Sequence, residues 1–155
     1  MSLTVCTWVD VHALPEEVWD VVMDPRLLDR WVTTHVAVAD APARLSSGSS
    51  FEQTLKLAGK SFAVRWTVKR ADRPHLAEWL GEGPFGSHAR VRYELERLDD
   101  GGTRFWYENE FELPASVLGR AAARLVGHSR ARREATRSLR KLKLLLEKQP
   151  AGSNQ

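Results

Sequence analysis

The chain has 155 residues, a net charge of +3, 43% hydrophobic residues, six tryptophans and a single cysteine. This length and composition are typical of one packed globular domain, and a single cysteine excludes an intramolecular disulfide bond. No apolar run approaches the roughly 20 residues that cross a bilayer, and the N-terminal residues lack the features of a signal peptide, so we expect a cytoplasmic protein with no transmembrane segment.

The positive charge is concentrated near the C-terminus. Residues 120–148 contain ten Lys or Arg residues and two Glu residues, a net charge of +8, whereas the rest of the chain carries −5. A basic segment on an acidic body is a candidate surface for nucleic acid, a membrane headgroup or an acidic protein. No aromatic residue alternates with these basic residues to stack on bases, which argues against nucleic acid. In the alternative interpretation the basic residues are solvated or pair with the acidic sheet exterior at Glu108, Glu110 and Glu112.

The N-terminal part of the chain predicts a strand followed by two short helices. In residues 3–11 three valines fall on one face, which is typical of a strand. Pro15 suits the first position of a helix over PEEVWDVVM, because its φ is already helical. Asp24 and Pro25 repeat this arrangement, with Asp24 as the N-cap of a second short helix.

Six further strands follow, because from residue 32 the apolar side chains recur with a period of two. In each strand the apolar residues occupy one face and charged residues the other, as in an antiparallel sheet with one solvated side. The segments are HVAVADA, FEQTLKL, SFAVRWTVKR, HLAEWL, HARVRYELERL and TRFWYENEFEL. The sequence DDGG between the last two segments predicts a hairpin turn.

The segment GEGPFG at residues 81–86 fits the GxGxxG pattern of dinucleotide-binding loops. Such a loop binds phosphate because it leads from a strand into the N-terminus of a helix. Here the segment leads into another period-two strand, and Pro84 removes one donor amide. We therefore interpret GEGPFG as a turn between antiparallel strands.

A long helix is predicted from Pro114 to about Lys148, since apolar residues recur there at helical spacing. A straight helix of that length would span about 50 Å, whereas a strand covers about 30 Å. We therefore expect a kink, or the start of the main helix, at Gly127. One domain is expected over residues 3–148, followed by a flexible tail at residues 149–155.

The order of one strand, two short helices, six strands and a long helix corresponds to the helix-grip arrangement. The segments ALPEEVW, MDP and RW resemble the opening of bacterial polyketide cyclase/dehydrase-like proteins, in the SRPBCC or START-like superfamily that also contains birch-allergen-like proteins. The resemblance covers residues 3–148. It implies an α+β fold in which a seven-stranded curved antiparallel sheet wraps around a long C-terminal helix, with two short helices between strands 1 and 2.

Members of this superfamily mostly share a cavity between the sheet and the long helix. The resemblance therefore implies binding or transport of an apolar, aromatic, polycyclic or lipid-like small molecule, in a pocket of roughly 300–1,000 Å³. The residues predicted to line it are Phe51, Gln53, Leu55, Phe62, Val64, Trp66, Trp79, Val91, Tyr93, Phe105, Tyr107, Asn109, Leu125 and His128, with Arg132 at the rim as a gate or anion partner. In the alternative interpretation the aromatic members of this set fill the core, as we expect for Trp19 and Phe111.

The resemblance also implies an alternative function, that of a polyketide cyclase or dehydrase-type enzyme. Such enzymes position their substrate with an arginine and with hydroxyl or aromatic side chains, but Arg65 alternates to the outer face of its strand. Tyr107 and His128 are the candidate catalytic residues, because a tyrosine can hydrogen-bond a carbonyl and a histidine can exchange a proton near neutral pH. A second alternative is a surface-binding protein that uses the basic C-terminal helix.

Neither a metal nor a cofactor is expected from the sequence. The five histidines include no close pair, and Cys6 is the single cysteine. Trp8 and Trp106 alternate to the outer face of their strands, so the protein is expected to be a monomer or a homodimer that buries this patch.

Overall fold

The computed structural model describes residues 2–57, 59–112 and 128–153, in which the chain forms seven β-strands and three α-helices. The elements are β1 (Ser2–Val11), α1 (Pro15–Val22), α2 (Leu28–Trp31), β2 (His35–Ala39), β3 (Ser50–Leu57), β4 (Lys60–Asp72), β5 (Leu76–Glu82), β6 (His88–Arg97), β7 (Thr103–Glu112) and α3 (His128–Ser153). A short 3-10 turn at Pro25–Leu27 precedes α2, and another at Pro84–Gly86 joins β5 to β6. The second turn lies in the GEGPFG segment and confirms its interpretation as a connection between strands.

The seven strands form one antiparallel sheet in the order β1-β7-β6-β5-β4-β3-β2. Strands β2 to β7 pair with their neighbours in sequence, and β1 pairs with β7, with Ser2 opposite Glu112 and Val11 opposite Thr103. Strands β1 and β2 therefore lie at opposite edges, and α1 and α2 connect them across the sheet. This arrangement confirms the predicted α+β helix-grip fold.

The two faces of the sheet differ in the way the period-two pattern predicts. On β3 the residues Phe51, Gln53 and Leu55 are buried, whereas the residues between them are more exposed. The outer face carries ion pairs, in which Glu78 Oε1 accepts from Arg92 at 3.2 Å and Asp10 Oδ1 accepts from Arg104 at 2.8 Å. Ion pairs at the surface contribute little to stability, and these two are partly buried on the outer face of the sheet.

Helix α2 packs on the buried face of the sheet through Leu28 and Trp31. Trp31 is fully buried, and its ring centre lies 6.2 Å from those of both Tyr93 and Phe105. The preceding turn is capped as predicted, because the Asp24 side chain accepts from the Arg26 backbone N–H at 3.0 Å. The helical segment after Asp24 therefore begins at a defined position and places Trp31 over β6 and β7.

Helix α3 covers the buried face with a stripe at helical spacing that contains Ala135, Leu139, Leu142 and Leu146. Its C-terminal half is joined to the β1 end of the sheet, because Lys143 Nζ donates to the backbone oxygen of Asp10 at 2.7 Å. Helical backbone continues to Ser153, beyond the predicted end near Lys148. The predicted start at Pro114 and the predicted kink at Gly127 lie outside the described residues.

The basic residues of α3 do not form the predicted pairs with the acidic outer face within the described residues. The ion pairs of this helix are Glu134 with Arg137 and Glu147 with Lys143, both inside the helix. The physical reason is that α3 packs on the buried face, whereas Glu108 and Glu110 belong to the outer face. Nowhere in the described ranges is a helix both long and apolar enough to cross a bilayer.

Replacing Leu142 with Ala is expected to lower the free energy of unfolding by about 2–5 kcal/mol, because it leaves a cavity where a fully buried side chain packed. The matched control is Leu144→Ala, two residues along the same helix, where the side chain is 50% exposed. That control should change stability by less than about 0.5 kcal/mol. Urea denaturation followed by circular dichroism measures both, and equal losses would contradict the placement of the helix.

Candidate ligand-binding cavity

A cavity of about 250 Å³ lies between the inner face of the sheet, α2 and the first turns of α3. Its volume is slightly below the range predicted from the sequence. Eight of the residues predicted to line it do so in the structure, namely Gln53, Leu55, Trp66, Trp79, Val91, Tyr93, Tyr107 and Asn109. Most of the wall is therefore aromatic or aliphatic, and the charged groups of the described lining belong to Lys56, Arg130 and Glu134.

Five of the residues predicted to line the cavity lie outside its described lining. A side chain that points toward the inner face of the sheet does not necessarily reach the surface of the cavity. Phe51 is buried behind Trp79, with ring centres 5.6 Å apart, and Phe105 is buried against Trp31. The other three are Val64, which is buried, Phe62, which is half-buried near the end of β4, and Arg132, which is exposed. Leu125 lies outside the described residues, as does the side chain of His128.

Sequence reasoning missed several residues that the structure places at the cavity. Phe111, which was assigned to the core, lines it, as do Val5 and Trp31. Phe111 follows Tyr107 and Asn109 at a spacing of two along β7, so the period was sufficient to find it. Thr33, before β2, belongs to no period-two pattern and gave no such signal.

One polar chain runs from the cavity wall to the edge of the sheet. Trp66 Nε1 donates to Gln53 Oε1 at 2.8 Å, and Gln53 Nε2 lies 2.9 Å from His35 Nδ1. An indole N–H can only donate, so the amide oxygen of Gln53 must face Trp66 and its nitrogen must donate to His35. The ring nitrogen Nδ1 of His35 is therefore an acceptor, and the neutral ring carries its proton on Nε2.

The position of the Trp66 ring depends on a glycine in the adjacent strand. Gly81 on β5 is opposite Trp66 on β4. A Cβ atom at residue 81 would lie 2.8 Å from two atoms of the indole and 2.7 Å from Cγ1 of Val64, which is too close for any side chain without movement. The first glycine of GEGPFG therefore makes room for a cavity-lining ring.

A second set of polar side chains that line the cavity consists of Tyr93, Tyr107 and Asn109. The two tyrosines are opposite each other on β6 and β7, with stacked rings 6.0 Å apart. Asn109 Nδ2 donates to the Tyr107 hydroxyl at 2.8 Å. Burial raises the pKa of Tyr107 to about 12 and that of Tyr93 well above its usual value, so both hydroxyls keep their protons at physiological pH.

Three buried polar atoms of residues that line the cavity have no hydrogen-bond partner within the described part of the chain. They are the indole nitrogens of Trp31 and Trp79 and the amide oxygen Oδ1 of Asn109. A buried polar atom without a partner destabilises a protein by about 1–3 kcal/mol. Native proteins therefore seldom keep such atoms without a function or a bound molecule that satisfies them.

The polar side of the cavity joins α3 to the connection between α2 and β2. The Thr33 hydroxyl donates to Glu134 Oε2 at 2.6 Å, and the Thr33 backbone N–H donates to Ser138 Oγ at 3.1 Å. These bonds hold the first half of α3 against the connection between α2 and β2. They also occupy Glu134, the one carboxylate among the described lining residues.

The described residues do not assemble a metal site or a reactive thiol. No three side chains of His, Cys, Asp or Glu cluster in the ranges that the structure describes. Burial and then Glu108 raise the pKa of the Cys6 thiol, so it is not activated as a nucleophile. Arg65 is exposed on the outer face, as predicted.

A curved antiparallel sheet closed over a cavity by a C-terminal helix defines a helix-grip protein with an internal ligand pocket. Residues 2–147 match the sequence model of the family described as polyketide cyclase / dehydrase and lipid transport. The chain therefore belongs to this family, which confirms the resemblance found in the sequence.

The chain is also similar to known proteins in sequence and in structure. An uncharacterized protein of Mycobacterium tuberculosis is 29% identical over 120 residues, which are 76% of this chain and 83% of that protein. A START superfamily protein from Mycobacterium smegmatis superposes with a TM-score of 0.70 at 16% identity, over 94% of this chain and 97% of that one. The protein Ara h 8.0201 gives a TM-score of 0.66 at 13% identity, over 96% and 99% of the two chains. These structures show the shared fold.

The bond between Gln53 and His35 predicts a pH dependence of stability. Burial lowers the pKa of His35 from its usual 6.5, although the charge of Asp29 acts in the opposite direction. The unfolded chain therefore binds the proton at a higher pH than the folded chain, so this contribution to stability is complete above about pH 6.5 and is lost as the pH falls below it. We expect wild-type stability to fall more between pH 6.5 and 5 than that of His35→Gln, measured by urea denaturation at each pH.

The control for this experiment is His75→Gln, which removes an exposed histidine and should retain the wild-type pH profile. A His35→Gln profile parallel to that of the wild type would show that His35 does not titrate as the structure indicates.

Proposed function

We propose that this protein binds and carries a compact, neutral, apolar small molecule, ring-containing or lipid-like, in the cavity between the sheet and α3. The observation that carries the proposal is the composition of the wall, in which Trp66, Trp79 and Tyr93 surround the space together with aliphatic side chains. Aromatic rings with a few fixed polar atoms are typical of sites that orient apolar ring systems. Membership of a family whose description includes lipid transport supports the same function.

The charged lining residues Lys56 and Arg130 are exposed to solvent, whereas the groups at the inner wall of the cavity support a neutral ligand. Both tyrosines stay protonated because burial raises their pKa values, and Glu134 is hydrogen-bonded to Thr33. A charged group would lose its hydration in this interior without a partner of opposite charge at the inner wall formed by Trp79 and Tyr93. We therefore place the apolar body of the ligand against these rings.

The enzymatic alternative has less support from the described residues. The titratable side chains of the described lining are Lys56, Tyr93, Tyr107, Arg130 and Glu134. A tyrosine with a pKa of about 12 can donate a hydrogen bond to a carbonyl but is a poor general base near pH 7. A cyclase or dehydrase activity, a cytoplasmic location and a monomeric or homodimeric state remain predictions.

Naphthalene is a suitable first probe, because it is neutral and its size is appropriate for the cavity. We expect it to shift the indole N–H resonances of Trp31, Trp66 and Trp79 in nitrogen-15 NMR spectra. Trp8 and Trp106 lie on the outer face, at 47% and 38% exposure, and serve as internal controls whose resonances should not move. Shifts confined to Trp8 and Trp106, or no saturable shift, would overturn the proposed function.

Two variants test the assignment of the cavity. Trp66→Ala should weaken naphthalene binding at least about tenfold, because it removes a wall and the bond to Gln53, whereas Trp106→Ala should leave the affinity unchanged. If Trp66→Ala does not fold, Ala131→Phe fills the cavity from α3 and should abolish binding in a folded protein. Native mass spectrometry of freshly purified protein would identify any ligand that is carried from the cell.

A further inference from the structure

We propose that the cavity selects a ligand that carries a hydroxyl group, and that this hydroxyl binds between the side chains of Asn109 and Tyr107. The inference rests on the proposed function and deepens it, because it defines the chemical class of the ligand. The class is a compact ring compound with one hydroxyl at its inner end, such as a phenol or a naphthol.

The amide nitrogen of Asn109 has a hydrogen-bond partner among the described residues, but its amide oxygen has none. On the inner face Asn109 lies opposite Val5 of β1 and Val91 of β6, and valine side chains contain no polar atoms. Its amide nitrogen donates to the Tyr107 hydroxyl, whereas Oδ1 is buried without a partner within the described residues. An acceptor is thus unused in a side chain that lines the cavity.

Tyr107 supplies the complementary donor. Its hydroxyl oxygen accepts the bond from Asn109, and its proton has no acceptor among the described side chains. Burial raises the pKa of Tyr107 to about 12, so this proton is retained. The pair therefore offers at least one free acceptor, Asn109 Oδ1, and one free donor, the Tyr107 O–H, at adjacent positions.

This pattern does not depend on which way the amide of Asn109 is turned. If the amide were reversed, Oδ1 would accept from the Tyr107 hydroxyl, and Nδ2 would be the free donor. The free acceptor would then be a lone pair of the Tyr107 oxygen. Either orientation leaves at least one donor and one acceptor of the pair without a partner.

A ligand hydroxyl satisfies both groups with one atom, because it donates and accepts at the same oxygen. An ether or ketone oxygen only accepts, so it would leave the free acceptor of the pair unpaired. A carboxylate would also only accept, and its charge would be repelled by the free acceptor oxygen. The pair therefore favours a hydroxyl over these groups.

The volume of the cavity limits the size of such a ligand. An apolar cavity of about 150 Å³ holds one benzene molecule, so on this scale the 250 Å³ cavity corresponds to a compound of about two rings. A hydroxylated two-ring compound would place its rings against Trp66, Trp79 and Tyr93. 2-Naphthol has this size and carries one hydroxyl.

The test compares the binding of three probes by titration calorimetry with the wild-type protein. We expect 2-naphthol to bind at least about tenfold more tightly than naphthalene. 2-Methoxynaphthalene, whose oxygen can accept from the Tyr107 hydroxyl but cannot donate to Asn109, should bind more weakly than 2-naphthol. Equal affinities for naphthalene and 2-naphthol would overturn the inference while the proposed function stands, whereas failure of all three probes to bind would overturn both.

Variants of the two residues test whether the preference for 2-naphthol over naphthalene depends on Asn109 and Tyr107. Asn109→Leu keeps the approximate size of the side chain and removes both polar atoms, so it should reduce the preference for 2-naphthol while naphthalene still binds. Tyr107→Phe retains the ring and removes the hydroxyl, so it should also reduce the preference, and the double variant should abolish it. Glu108→Gln, on the opposite face of β7, is the control and should keep the full preference. An undiminished preference in Asn109→Leu would overturn the inference.

Discussion

The structure depends on how one narrow helical stripe covers the inner face of a seven-stranded sheet. From Leu139 onward the stripe consists of Leu139, Leu142 and Leu146, which fill the space down to the sheet. Before Leu139 the helix lines the cavity with Ala131, Ala135 and Ser138, which are too small to fill that space. The cavity lies where the small residues are, so it follows from the distribution of side-chain volume along one helix.

The polar groups that this arrangement buries are treated in two different ways. Gln53 is satisfied at both ends of its amide, by Trp66 and by His35, and it fixes the ring that forms one wall. Asn109 is satisfied at one end by Tyr107 and is flanked by valines. The first arrangement is complete within the protein and contributes rigidity. The second is complete only when another molecule provides the missing group, which is why we assign specificity to it.

Much of the fold could be predicted from the sequence, because the period of two in each strand depends on local alternation alone. The same alternation correctly separated Trp66 from Arg65. It could not distinguish Gln53, which lines the cavity, from Phe51, which lies behind Trp79, because that difference depends on how aromatic rings from different strands stack. The contact of Gln53 with His35 was also beyond prediction, since the pairing of β2 with β3 shifts register between His35 and Ala37.

Gly81 influences the shape of the cavity although it is not among the residues that line it. Because residue 81 has no side chain, the indole of Trp66 can occupy the space beside it. Gly81 lies on β5, and Trp66 lies opposite on the neighbouring strand β4. The dimensions of the pocket are therefore set partly by a residue outside its lining. A larger residue at position 81 would therefore change the size of the ligand that the cavity holds, while every residue that lines the cavity stays the same.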